Sequence, residues 1–320
     1  MDVLLVGLGR WGEKHLRVLR ELGATVWVAD VVPERLDRAV AQGVDPAHAV
    51  ADYRVALAHV AAADIVTPAD SHAALAGACL AAGLHCFVEK PITATLAEGR
   101  ALETAAARAG RVVQVGHIFR FHPVTATLRQ ALQAGRIGAV RCATGRFSGF
   151  KRPRTDVGVT QSDAIHYFDL FAHLFECQAT TVMALQRDYL GRGLDDMSLT
   201  IVHYGDIPTV IEANYFVPGT YRDCVIVGER GSLVADYGAS RVTLYSGELR
   251  QTGDSWEALD TGKEELEARG EEPLRRELQA FIDACAGKAP NAVPASAGVS
   301  ALAVVEAAAR AARLGRTVTL

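Results

Sequence analysis

The sequence predicts an α/β protein: a doubly wound parallel sheet in the N-terminal part, then a second α/β part whose strands run antiparallel. Three observations predict it. Short apolar runs alternate with helical patterns over the first 120 residues, a glycine-rich turn joins the first run to the first helix, and strands without crossover helices fill residues 181–246. A length of 320 residues, at roughly 100–200 residues per domain, predicts two domains.

Residues 3–6 are continuously apolar, as a strand covered on both faces should be. A helix over 12–22 and a strand over 25–29 follow, and Pro33 occupies a first-turn position of a helix ending near Gly43. Residues 64–68 form a strand ended by proline. Ser71 is expected to cap an alanine-rich helix that closes at Gly83. A strand over 84–88, a helix over 93–109 and a strand over 111–115 complete the alternation. The pattern changes after Phe119: a helix over 125–134, a strand over 140–147, a basic loop around Pro153, and an apolar-faced helix over 162–175. Residues 247–272 are polar and read as a surface excursion. Helices over 273–286 and 295–314 and a short strand over 317–319 end the chain.

Half of the residues are apolar and 22% charged, with 33 Lys+Arg against 37 Asp+Glu for a net charge of −4. That balance argues against general affinity for nucleic acid or an anionic membrane. The six cysteines form no C-x-x-C pair and no metal-like cluster, so reduced thiols, no bound metal and a cytoplasmic location are expected. No apolar run is expected to reach the ~20 residues of a membrane span, and no cleavable leader is expected at the start.

Gly7-Leu8-Gly9-Arg10-Trp11-Gly12 is G-x-G-x-x-G placed directly between a strand and a helix. The first glycine permits a tight turn, the second lets backbone approach a pyrophosphate, and the third allows close packing. The helix N-terminus adds free N–H groups and partial positive charge. A dinucleotide site is expected here, with Arg10 and Trp11 in its loop; an ordinary glycine-rich turn is the competing reading. Asp30 ends the second strand, 18 residues beyond Gly12. A carboxylate there accepts from ribose hydroxyls and repels a 2′-phosphate, favouring NAD over NADP; a cap for the Pro33 helix is the competing role. Thr67, Pro68 and His72 follow the next strand at the ligand-binding edge. Glu89-Lys90-Pro91 ends another, where Lys90 can place charge near the nicotinamide and a reacting oxygen, unless it is a solvated surface lysine. The Lys90–Pro91 bond is a candidate cis peptide. Asp163 and Asp169 lie three residues to either side of His166 on an otherwise apolar helix. A histidine on such a face suits proton transfer; a core histidine or a metal ligand are the alternatives.

Taken together, GLGRWGEKH, Thr67-Pro68, His72, Glu89-Lys90-Pro91, VGHIFRFHP (115–123), DVGVTQSDAIHYFDL (156–170) and the closing GRTVTL resemble the glucose–fructose oxidoreductase / inositol dehydrogenase / MocA family over essentially the whole chain. The resemblance implies an N-terminal Rossmann domain (1–120) and a C-terminal α/β domain (121–320). The latter carries a large, mostly antiparallel sheet that binds substrate and supports a homodimer or homotetramer. It also implies that Lys90 positions nicotinamide and substrate and that His166 is the acid/base. The family often places an aspartate four residues before that histidine; here Ser162 stands there, with Asp163 next, so Asp163 is carried as an assistant.

The expected reaction moves hydride between NAD and a secondary hydroxyl or ketone of a sugar, with substrate held between the nicotinamide and the antiparallel sheet. Arg146, Lys151, Arg152 and Arg154 precede the catalytic helix and can receive phosphate or carboxylate. The GHIFRFHP stretch, with Arg120, resembles members that oxidise nucleotide-linked amino sugars, although His122 stands where asparagine is more usual. A nucleotide sugar is thus the first expectation for substrate and a free sugar or cyclitol the second. An NAD-binding sensor without turnover is the rival of another class.

Overall fold

The computed structural model describes residues 1–320, which form two compact units: 1–118 with 272–302, and 119–271 with 303–320.

The first unit begins with β1 (Asp2–Val6), α1 (Gly12–Glu21), β2 (Thr25–Ala29), α2 (Pro33–Ala41) and β3 (Ala49–Val50). It continues through β4 (Ala62–Ile65), α3 (Ala69–Ala81), β5 (His85–Glu89), α4 (Leu96–Ala109) and β6 (Val113–Gly116). The strands run parallel in the order β3-β2-β1-β4-β5-β6. The order reverses between β1 and β4, and ligands of such sheets bind where that reversal opens a crevice at the carboxyl ends. Val3 and Leu5 point to one core with Leu16, Leu19 and Phe87, while Leu4 and Val6 point to another; burial on both faces explains the unbroken apolar run.

The second unit carries α5 (Pro123–Gln133), β7 (Val140–Gly149), α6 (Ile165–Phe175), β8 (Ala179–Arg187) and β9 (Met197–Tyr204). After these come β10 (Ile207–Asn214), β11 (Thr220–Gly228), β12 (Gly231–Asp236), β13 (Arg241–Thr252) and β14 (Ser255–Leu266). The chain ends with α7 (Pro273–Cys285), α8 (Ala295–Leu314) and β15 (Val318–Thr319). The nine strands run in the order β14-β13-β12-β11-β7-β10-β9-β8-β15, and only β7 and β10 pair in parallel. Helix α6 covers one face: the Tyr204 hydroxyl donates to Phe168 O at 2.8 Å and the Tyr167 hydroxyl to Asp223 O at 2.7 Å. Gly145 has no side chain because a Cβ there would lie 2.6 Å from the Tyr167 ring.

Residues 272–302 pack with the first unit: Leu274, Leu278 and Phe281 of α7 lie in its core beside Phe87, burying an apolar stripe under β5. Four expectations are corrected. The excursion over 247–272 is largely the β13–β14 hairpin, paired from Val242↔Leu266 to Thr252↔Ser255; its tip is exposed on both faces, so its side chains show no alternation. Ser71 is not a cap, because α3 starts at Ala69 and the Ser71 hydroxyl donates to Pro68 O at 2.7 Å. Helix α4 starts at Leu96, where Thr95 and Glu98 form a capping box. Finally, α8 has 20 residues with a mean hydropathy of 1.3, long and apolar enough by length and composition to cross a membrane, although 56% of that stretch is buried.

Candidate active site

In the first unit the glycine turn is built by exclusion. Gly7 has φ +99°, and a Cβ there would lie 2.6 Å from Val66 O; a Cβ on Gly12 would lie 1.9 Å from Gly7 O. Both glycines are therefore demanded by packing. Gly9 is different, since a Cβ there would meet nothing within 4 Å. Its backbone faces open space at the N-terminus of α1, where a pyrophosphate can approach the N–H groups. The residues present thus fit a dinucleotide, and Arg10 in the same loop is exposed.

Asp30 is buried and braces this turn. Its Oδ2 accepts from Leu8 N–H at 2.7 Å and Arg35 Nη1 at 3.1 Å; its Oδ1 accepts from Val32 N–H at 2.9 Å. It therefore supports both the glycine loop and the entry to α2.

The loops after β4 and β5 are tied together by His72. Its Nδ1 lies 2.9 Å from Pro91 O and its Nε2 2.9 Å from Thr67 O. Carbonyl oxygens only accept, so whichever ring nitrogen carries the proton donates to its carbonyl. Thr67 Oγ1 and Ser71 Oγ, 2.6 Å apart, hold the turn at Pro68. The Lys90–Pro91 bond is cis. Glu89 is buried; its Oε1 accepts from the Trp11 indole at 2.7 Å and its Oε2 from Lys90 N–H at 3.1 Å. Gly116 leaves room for that carboxylate, which would lie 2.9 Å from a Cβ.

In the second unit His166 sits on the first turn of α6, 6% exposed. Its ring centroid lies 4.8 Å from Phe119 and 4.9 Å from Phe147, and those two rings are 5.9 Å apart, so the three form a triangle. Phe119 also stacks on Tyr237 at 4.5 Å, and the Arg222 guanidinium lies 3.5 Å from the Phe147 centroid. Residues 160–164 are a π turn rather than α-helix, so the 100° step of an α-helix does not govern where Ser162 and Asp163 point. Asp163 accepts from Lys151 Nζ at 2.7 and 2.9 Å, while the Ser162 hydroxyl meets the Tyr215 hydroxyl at 2.8 Å. Burial pulls the Lys151 ammonium below its usual range, and Asp163 opposes this. Burial and then Asp163 push Tyr215 up to about 12.

Asp169, expected beside His166, takes Arg120 in a bidentate pair at 2.8 and 2.6 Å. Arg120, expected to touch substrate, thus commits its Nε and Nη2 to a buried carboxylate. His122 caps α5, its Nδ1 accepting from Val124 N–H at 3.2 Å, the role an asparagine oxygen would also fill. The basic segment is internally paired: Arg154 with Asp156, and Arg146 with Asp223 at 2.8 Å, besides Lys151 with Asp163. Arg152 is exposed without an ion pair. Tyr215, Arg222, Phe119, Phe147 and Tyr237 were not singled out from sequence; inward alternation on β7 and β11 was the one signal available for Phe147 and Arg222.

Residues 1–117 match the profile described as the oxidoreductase family, NAD-binding Rossmann fold, and residues 129–320 match its C-terminal α/β domain. Inositol 2-dehydrogenase 1 of Saccharopolyspora erythraea is 29% identical over 331 residues, spanning 96% of this chain and 92% of that protein. UDP-N-acetylglucosamine 3-dehydrogenase of Acidithiobacillus ferrooxidans is 33% identical over 183 residues, 57% of this chain and 56% of its own. A crystal structure of that enzyme shares the fold with a TM-score of 0.84, at 24% identity over 98% of each chain. The chain belongs to the glucose–fructose oxidoreductase / inositol dehydrogenase / MocA family of oxidoreductases with an NAD-binding Rossmann fold.

Proposed function

We propose that the chain is an NAD-dependent dehydrogenase that interconverts a secondary hydroxyl and a ketone on a free sugar or cyclitol. The observation that carries this reading is His166, a buried ring fixed against Phe119 and Phe147 with the Lys151–Asp163 pair on the preceding turn. His166 takes the hydroxyl proton in oxidation and returns it in reduction. Lys90 stabilises negative charge on the reacting oxygen. Asp163 holds Lys151, and so assists by fixing the charge near the histidine rather than by moving the proton. Gly7, Gly9 and Gly12 cradle the pyrophosphate with Arg10 and Trp11, and Thr67, Pro68, His72 and Glu89 brace the loops beside it. The dinucleotide, when bound, supplies the hydride acceptor.

Asp30 favours NAD over NADP by its charge, and Arg35 offsets part of that charge. Arg35→Ala is therefore expected to widen the preference for NAD about tenfold in calorimetry; an unchanged ratio removes Arg35 from the discrimination.

The pairing of Arg146, Lys151 and Arg154 with carboxylates favours an uncharged polyol, because a phosphate would have to displace an intramolecular partner. Arg152, exposed and without an ion pair, favours the second reading, a nucleotide-linked amino sugar held with Arg154 and Arg120. Absorbance at 340 nm across a panel of cyclitols, free sugars and nucleotide sugars decides between them. Turnover confined to nucleotide sugars overturns the first reading, and no turnover despite NAD binding overturns both.

The outer face of the nine-stranded sheet exposes Met183, Leu185, Leu199, Ile201 and Val210 as neighbours across paired strands. Such a face suits a second copy of the chain. Leu199→Asp with Ile201→Asp is expected to yield monomers in light scattering; a wild type that is already monomeric refutes the assignment.

A further inference from the structure

We propose that His15 is a positioning residue for the chemistry at the end of β5: clamped between Asp64 and Glu89, it sets the carboxylate that ties the Trp11 indole to the Lys90 backbone. This rests on the reading above in taking Lys90 as catalytic. Three elements meet here. His15 comes from α1, Asp64 from β4 and Glu89 from β5, and His15 and Asp64 are wholly buried. His15 Nδ1 lies 2.8 Å from Asp64 Oδ2. His15 Nε2 lies 3.3 Å from Glu89 Oε1, a longer contact to an oxygen that already accepts from Trp11 at 2.7 Å.

Two carboxylates this far from water repel one another unless a cation stands between them. The imidazolium of His15 has a donor on either side of its ring and can face both at once. Burial alone would strip its proton, but Asp64 and Glu89 outweigh burial and push His15 up to about 10. Glu89 is held below its usual range by His15, Trp11 and Lys90, against the pull of burial. The ring cannot turn aside freely, since Phe87 and Trp11 meet it edge-on at 5.6 and 5.8 Å. Glu89 is backed by the bare Cα of Gly116, and it accepts from Lys90 N–H on its other oxygen. Loss of the ring's charge would release Glu89, and with it the backbone that carries Lys90 and the indole of the glycine loop. Misplacing a reacting group by about an ångström costs on the order of 10²-fold in rate.

Nitrogen-15 spectra of histidine-labelled protein at pH 7.5 are the direct test. One ring is expected with both nitrogens protonated, and that signal vanishes in His15→Gln; a neutral ring at that position overturns the proposal. In His15→Gln the Lys90 amide is expected to exchange with solvent at least about tenfold faster while the Leu5 amide is unmoved. An unmoved Lys90 amide also overturns it. If that variant fails to fold, Trp11→Phe leaves the ring in place, is expected to shift its signal and speeds Lys90 exchange a few-fold; no effect on either counts against the proposal. With a substrate from the absorbance panel, kcat falls about 10²-fold in His15→Gln while the NAD+ dissociation constant, which feels only the loosened Trp11, rises by no more than about tenfold. The reverse split refutes positioning. A wild type that does not bind NAD+ removes the proposed function but leaves the ring's state and the Lys90 amide readable.

Discussion

The two units hold their charges in opposite ways. In the first, His15 and Asp64 are cut off from water and Glu89 nearly so, and the three face one another with Trp11 donating to Glu89. In the second, Arg120 and Asp169 keep one buried pair, but the cations of the basic segment and β7, Arg146, Lys151 and Arg154, have side chains 40%, 38% and 38% exposed, each paired with a carboxylate. A buried ion set cannot lose one member without leaving a bare charge in a poor solvent. A half-exposed pair can exchange its partner for water or ligand at little cost. On the proposed function, the first unit would hold one ligand in one way and the second could be re-matched. That difference suits a family whose relatives are named for substrates as unlike as inositol and UDP-N-acetylglucosamine.

The contrast can be broken most sharply at the chemistry. Lys90→Ala and His166→Ala are each expected to lower kcat by about 10³-fold or more, with NAD+ binding by calorimetry kept within a few-fold. Near-normal turnover in either variant removes that residue from the mechanism. Next come the two aspartates. Asp64→Asn is expected to lose about 3–5 kcal/mol of unfolding free energy in urea, the cost of breaking a buried pair. Asp163→Asn should lose less, about 1–2 kcal/mol, because Asp163 is buried but its lysine partner reaches water, and its effect falls chiefly on KM. Equal losses would erase the distinction between the units.

The finest test uses pH. His15 is raised to about 10, burial being outweighed by Asp64 and Glu89. Its contribution is fully present below pH 6.5 and drains away as pH rises from there toward 10. His173 goes the other way, lowered to about 4 by burial and then by Arg120. Its contribution is present above pH 6.5 and is lost as pH falls toward 4. The Tm gap between wild type and His15→Gln should therefore shrink on the alkaline side, and that between wild type and His173→Gln on the acid side. A gap that moves in the opposite direction contradicts the assigned protonation state.

Periodicity and turn chemistry made much of this molecule legible. The alternation of runs and helices, the glycine turn and the candidate cis bond at Lys90–Pro91 all express local rules. What stayed hidden is non-local. His15 is 49 residues from Asp64 and Asp169 is 49 residues from Arg120, and no spacing rule joins them. The basic segment read as an anion site because nothing in its spacing says that Arg154 pairs with Asp156 and Lys151 with Asp163, and Asp223, the partner of Arg146, arrives from a distant strand. The β13–β14 tip went unseen because a hairpin wet on both faces has no apolar period. Helix α7 was recognised as a helix, but not as part of the first core, since an apolar stripe does not say which sheet it covers.

That last placement bears on how the chain comes to be made. Leu274, Leu278 and Phe281 complete the hydrophobic core begun by Val3, Leu5 and Leu16, so the first unit to leave the ribosome is still missing a wall when residue 118 is added. Its apolar underside must wait through the synthesis of the second unit before residues 272–302 arrive to close it. A fragment ending at 118 should accordingly be sticky and poorly folded, and chains cut short before α7 should be cleared by proteases even though every residue of the glycine turn is already present.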